Sequence, residues 1–182
     1  MSSFGAEPNG RAEFVSIDSP FKRAIDSGVD LNALIAENPE VGNAKLDEFV
    51  EATRTAIADA ANVDGIVYHL HGAEPEFNTP MQYGGLYLER DREILESLPS
   101  SQISLLIIHG KQEPYLDFVS DLPATFFGWS LSEAWSVNAV RELRSGLLAT
   151  SSSDADIFLV QNAEEKQQFM NSNRVPCEVT NR

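Results

Sequence analysis

Three histidines occur in the chain, at positions 69, 71 and 109. His69 and His71 sit two apart in Ile66-Val67-Tyr68-His69-Leu70-His71, which reads as a strand, so their side chains share one face. His109 ends a second apolar run, Ile103 to Ile108. If the two strands are parallel, all three imidazoles meet at the C-terminal rim of a sheet. A His-x-His pair with a third histidine is a ligand set for zinc or iron, with Glu74 or Glu113 as a nearby carboxylate. The same rings can act without metal as general acids or bases near neutral pH. They can also do no more than hydrogen-bond the loop Gly72 to Pro80.

Around these rings stand the other candidates. Asp18 joins His71 and His109 as a possible catalytic group, although its place before a Pro turn also suits helix capping. Ser19, Tyr68, His69 and Trp129 are the candidate ligand contacts, and Tyr83 with Tyr68 and Trp129 would make an aromatic pocket for a flat molecule. The alternative for these aromatics is core packing. Asp64, before Gly65, reads as a turn former. The loop Gly72-Ala73-Glu74-Pro75-Glu76 is too acidic for a phosphate cradle and lacks the glycine spacing of one. Cys177 is the only cysteine, which excludes an intrachain disulfide and a cysteine-based metal cluster.

The elements that must position these groups alternate between strand-sized and helix-sized segments. Phe14 to Ile17 reads as a strand closed by Asp18-Ser19-Pro20, and Asp18 or Ser19 caps a short helix that Gly28 ends. Leu31, Leu34 and Ile35 suggest another helical turn. Asn38 as N-cap, Pro39 at the first position and Glu40 at the positive dipole end open a long helix. Its buried stripe runs through Leu46, Phe49, Val50, Thr53, Ile57 and Ala60, and Asn62 ends it. A polar helix is predicted from about Gly85 to Leu98, and a further one from Pro114 towards Asp121. A short strand spans Ala124 to Gly128, and Ser132 caps a helix from Glu133 to Leu143. Gly146 to Ala149 and Ile157 to Val160 are the last strand candidates. This alternation predicts an α/β fold with a mainly parallel sheet. The domain reading is a flexible terminus over 1–12, one (βα) domain over 13–170 and a polar tail over 171–182.

The 182 residues suffice for one domain with a core. With 28 acidic against 13 basic side chains the formal charge is −15, which argues against nucleic acid and anionic lipid as partners. Any polyanionic ligand would need specific cations such as Lys22, Arg23, Arg90 or Arg92, which otherwise read as solvated faces. No apolar run approaches the roughly 20 residues of a membrane span. The polar opening, Met1 to Arg11, does not read as a secretory leader. A cytoplasmic location is the expectation.

Several segments together resemble the uroporphyrinogen decarboxylase and cobalamin-dependent methyltransferase superfamily. Phe14-Val15-Ser16-Ile17-Asp18-Ser19-Pro20-Phe21 is similar to its strand and Ser-Pro entry, and Asp64-Gly65-Ile66-Val67-Tyr68 to its strand after the long helix. Tyr87 to Leu95 resembles a family helix, Leu106-Ile107-Ile108-His109-Gly110 a strand end, Phe127-Gly128-Trp129 another, and Gly146-Leu147-Leu148 a further strand. The match is collinear over roughly 13 to 150. It implies a TIM-type (βα) barrel, truncated or partial at this length since a complete one takes about 250 residues, with its site at the C-terminal strand ends. It also implies a lyase (decarboxylase) or methyltransferase-type activity on a tetrapyrrole, corrinoid-linked or small carboxylated substrate. Lys111 stands where zinc-binding methyltransferases carry their first thiolate, which speaks against zinc-thiolate methyl transfer. Three readings follow: an active superfamily member, a metal-dependent enzyme using His69, His71 and His109, or a non-catalytic partial barrel that binds a partner. In all three the open sheet edges predict a homo-oligomer, a dimer first.

Overall fold

The computed structural model describes residues 13–130, 134–151, 157–160 and 178–180. Its elements are β1 (Glu13–Asp18), α1 (Pro20–Asp26), α2 (Leu31–Glu37), α3 (Pro39–Asp59), β2 (Gly65–Leu70) and α4 (Pro80–Tyr83), which runs through a π-helical stretch (Gly84–Leu88) into α5 (Glu89–Glu96). Then come β3 (Ile103–Ile108), α6 (Leu116–Val119), β4 (Phe126–Ser130), α7 (Val137–Leu143), β5 (Leu147–Ser151), β6 (Ile157–Val160) and β7 (Glu178–Thr180).

Strands β1 to β5 pair in sequence order, each parallel to the next. β6 adds antiparallel beside β5, and β7 parallel outside β1, within the segment that reads as a polar tail. The sheet is open, a partial (βα) barrel. That is the α/β, mainly parallel class expected from the alternation of segments.

Local chemistry explains most boundaries. Asn38 accepts a hydrogen bond from Val41 N, and Pro39 fills the first turn where no N–H is needed. α3 stops at Asp59, short of Asn62. Thr79 and Gln82 form a reciprocal capping box on α4, so the helix after the glycine-rich loop starts earlier than Gly85. α7 begins at Val137 with Ser136 accepting from Ala139 N; Ser132 lies outside the described residues. β4 runs over Phe126–Ser130, later than Ala124 to Gly128, and Arg144 takes up carbonyls of the segment before it. That guanidinium donates to Ser120 O, Leu122 O and Ala124 O and lies over the Phe127 ring.

Side-chain alternation splits the sheet into two faces. One face carries Ile17, Ile66, Tyr68, Leu70, Leu106, Ile108, Phe127, Trp129 and Leu148 and packs on Phe21, Leu46, Val50, Ile57, Ile94 and Val140 of the helices. This is the large core. The other face has a smaller apolar floor of Phe14, Val67, Leu105, Phe126 and Ala149 near the strand starts. Gly65 is needed in that floor, since a Cβ there would come 2.4 Å from the Phe14 ring. Among the described residues no helix is long and apolar enough to cross a membrane.

Candidate functional site

The face that carries no helix among the described residues, the helix-free face below, changes character towards the strand ends. In β1 and β2, Asp18 pairs in register with His69, and Ser16 with Val67. In β2 and β3, His69 pairs with Ile107. Parity therefore places Ser16, Asp18, His69, His71 and His109 on the same face as the apolar floor, beyond its C-terminal end. Backbone bonds extend the ladder past the strands: Ser19 N donates to His69 O at 3.0 Å and His109 N to Leu70 O at 2.9 Å.

The three imidazoles do meet. His69 Nδ1 lies 2.8 Å from His109 Nε2, and Ser16 Oγ lies 3.1 Å from His69 Nε2. The His71 ring stacks on His109, with centroids 4.4 Å apart and planes 2° apart. Ser16, Asp18 and all three histidines are partly exposed. His71 is held neutral: burial first, then the neighbouring His109, Lys22 and His69, lower its pKa to about 3. Lys22 itself is paired with Asp26. The mouth thus offers three imidazoles, that of His71 neutral, with a hydroxyl and the Asp18 carboxylate on the same side.

The loops at this rim are tied down. Gly72, at φ +94°, turns the chain directly after His71, and its carbonyl accepts from Asn78 Nδ2 at 2.8 Å. Glu74 is buried, and its carboxylate accepts from Lys111 N at 2.7 Å and Gln112 N at 3.4 Å. Burial outweighs those two amides and raises its pKa. Glu74 therefore fixes the loop after His109, while Glu113 is exposed.

The remaining sequence candidates stand elsewhere. Ser19 is fully buried, and its hydroxyl accepts from His71 N at 3.3 Å, bracing the ends of β1 and β2. Asp18 anchors α1 and α3 through its backbone: its carbonyl accepts from Arg23 Nε and Thr53 Oγ1. Grouping Tyr68, Tyr83 and Trp129 with the histidines needs correction. Tyr68 neighbours His69 in the strand and so points to the opposite face, where its hydroxyl donates to Asp91 at 2.6 Å. Tyr83 donates to the other Asp91 oxygen at 2.8 Å. The Trp129 indole N–H donates to Trp135 O at 2.8 Å, also within the helix-packed core. Three of the four cations are ion-paired, Lys22 with Asp26, Arg90 with Asp47 and Arg92 with Asp121, whereas Arg23 is half-buried and donates to Asp18 O and Thr53 Oγ1.

Two residues were not singled out from sequence. Ser16 is a strand serine whose partner lies diagonally across β2, a neighbour that only register reveals. Asp91 had a readable signal: it falls eight after Tyr83, four after Tyr87 and three before Ile94, on the buried stripe of its helix.

His69, His71 and His109 are the residues that could hold a metal. Two of the three rings direct nitrogens at each other, and among the described residues no group of three His, Cys, Asp or Glu side chains is arranged to hold a metal ion. Lys111 pairs with Glu76, and Cys177 lies outside the described residues. What the mouth can do chemically is accept, hold and pass protons, and donate hydrogen bonds to a small molecule.

No known family model matches the chain, and no curated protein matches its sequence. Among solved structures, the fold is similar to a methyltransferase from Methanosarcina mazei, with a TM-score of 0.60 and 19% sequence identity. The likeness covers 75% of this chain and 42% of the other, so the chain spans less than half the length of that protein. At this identity the likeness is one of fold alone, a parallel (βα) sheet.

Proposed function

We propose that the imidazole mouth is the substrate site of a methyltransferase-type enzyme of the uroporphyrinogen decarboxylase and cobalamin-dependent methyltransferase superfamily. The observation that carries this reading is the convergence of His69, His71 and His109 on the helix-free face at the C-terminal strand ends. In (βα) barrels that rim is where substrates are bound and chemistry is done. The fold of the methyltransferase from Methanosarcina mazei supports the reaction class.

The electrostatics favour methyl transfer over decarboxylation of a polyacid. A tetrapyrrole polycarboxylate needs fixed cations, whereas this mouth has a neutral His71 and the Asp18 carboxylate. An acceptor X–H, such as a thiol, would hydrogen-bond an imidazole and give up its proton as the new X–CH3 bond forms, with the donor keeping the electron pair of the broken bond. The His69–His109 pair can take that proton and share it. A second copy of the chain covering the open sheet edges completes the proposal, and light scattering reads it directly.

The test uses methylcobalamin as donor and mercaptoethanol as acceptor. Expected are protein-dependent loss of the donor's absorption, a methyl thioether in the product, and about a hundredfold slower turnover in His69→Leu. No turnover above buffer would end this reading. Tight binding of a porphyrinogen without methyl loss would move the assignment to a decarboxylase.

A further inference from the structure

The hydrogen bonds at the mouth form a chain with a direction. Ser16 Oγ lies 3.1 Å from His69 Nε2, and His69 Nδ1 lies 2.8 Å from His109 Nε2. When His69 accepts from the hydroxyl at Nε2, its proton sits on Nδ1, and that N–H donates to His109. His109 then accepts at Nε2 and carries its own proton on Nδ1. One tautomer fixes the next. The parallel His71 ring, 4.4 Å away, holds the plane of His109. A hydroxyl on a base whose second nitrogen is oriented by a third group is the arrangement that activates serine for attack on an acyl carbon.

We propose that Ser16 is a nucleophile with His69 as its base and His109 as a positioning residue, and that the mouth accepts small, uncharged acyl esters. Ser16 and all three rings are partly exposed at the end of the sheet, so an ester can reach the hydroxyl. The Asp18 carboxylate, in register with His69 on the same face, and a chain charge of −15 select against anionic acyl donors.

The step balances within the chain and two substrates. Ser16 Oγ bonds to the carbonyl carbon while its proton passes to His69 Nε2. The ester's alkoxide leaves with that proton as an alcohol. Water then attacks the acyl-serine, gives a proton to His69 and releases a carboxylic acid, returning Ser16 to its hydroxyl form. None of this requires methyl transfer, so the two activities fail or succeed separately.

A biotinylated fluorophosphonate is the probe, since a serine activated in this way displaces its fluoride and keeps the phosphonyl group. Expected is one adduct per chain, mapped to Ser16 by tandem mass spectrometry and absent in Ser16→Ala. His69→Gln should label about a hundredfold more slowly. His109→Gln, whose amide oxygen can still accept from His69 Nδ1–H, should retain most of the rate, whereas His109→Leu should lose about tenfold and shift the pH profile of labelling. p-Nitrophenyl acetate should give a burst of one nitrophenolate per chain. An unmodified wild-type mass after prolonged exposure, or an adduct that persists in Ser16→Ala, overturns the proposal. Wild-type protein alone decides the first of these, so a variant that misfolds cannot shelter it.

Discussion

The two faces of one sheet treat their polar groups in opposite ways. On the helix-packed face, Asp91 is buried and receives both Tyr68 and Tyr83 hydroxyls, at 2.6 Å and 2.8 Å. On the helix-free face, the imidazoles are partly exposed and bond to one another and to Ser16. A buried polar group with all its partners inside the core rigidifies and adds stability. Groups that share protons at an exposed rim contribute little to stability and remain available to a ligand. Position along the same strand, one residue apart at Tyr68 and His69, separates structure from chemistry.

The sharpest way to break this comparison is Asp91→Ala. It leaves two buried tyrosine hydroxyls without an acceptor and opens a small cavity. The expected loss is on the order of 4 kcal/mol, read from urea or thermal unfolding. His69→Gln on the other face should cost about 1 kcal/mol or less. Equal losses at both positions would collapse the distinction between the faces.

The next effect is the pH dependence that Asp91 imposes. Burial raises its pKa from 3.8 to about 6, against the two tyrosine hydrogen bonds that lower it. Between these values the folded chain holds a proton that the unfolded chain has released. Stability then falls as pH rises through that window, since the native state binds more protons. The two units correspond to about 3 kcal/mol, present below pH 4 and lost by about pH 6. Asp91→Asn should flatten this part of the stability curve. An unchanged slope in that variant would show that Asp91 titrates alike in the folded and the unfolded chain.

Much of this was legible in the sequence, for reasons that differ by residue. Asn38-Pro39-Glu40 announces a helix start because capping needs only local side chains. Ile103 to Ile108 announces a strand because every position is apolar save Ser104, but that run suggests cover on both faces, whereas described helices pack on one and leave Ile103 and Ile107 half-buried on the other. The common face of His69 and His71 follows from a two-residue period, and the same arithmetic puts Tyr68 on the other side. Ser16 was not legible, because its meaning depends on which residue of β2 lies diagonally opposite, and register is set by tertiary packing. The sequence offers Glu74 as a possible ligand beside the histidines. It instead binds the amides of Lys111 and Gln112, a contact across 37 residues of chain that no local pattern encodes.

The smallest effect carries the opposite sign and falls in nearly the same pH range. His71 has its pKa lowered from 6.5 to about 3 by burial and by the neighbouring His109, Lys22 and His69. Between these values the unfolded chain binds a proton that the folded chain refuses. Stability from this source rises with pH through that window and is lost as pH falls. Partial exposure of the ring screens the effect, so it should be much weaker than that of Asp91. Nuclear magnetic resonance isolates it: the His71 ring carbons should hold their neutral shifts down to about pH 4. In His109→Leu, which removes the neighbour that lowers the His71 pKa most after burial, the midpoint should move upward towards 6.5. A wild-type midpoint near 6.5 would mean that the ring is solvated, and the mouth would then carry positive charge at the pH where a neutral imidazole is needed to accept a proton.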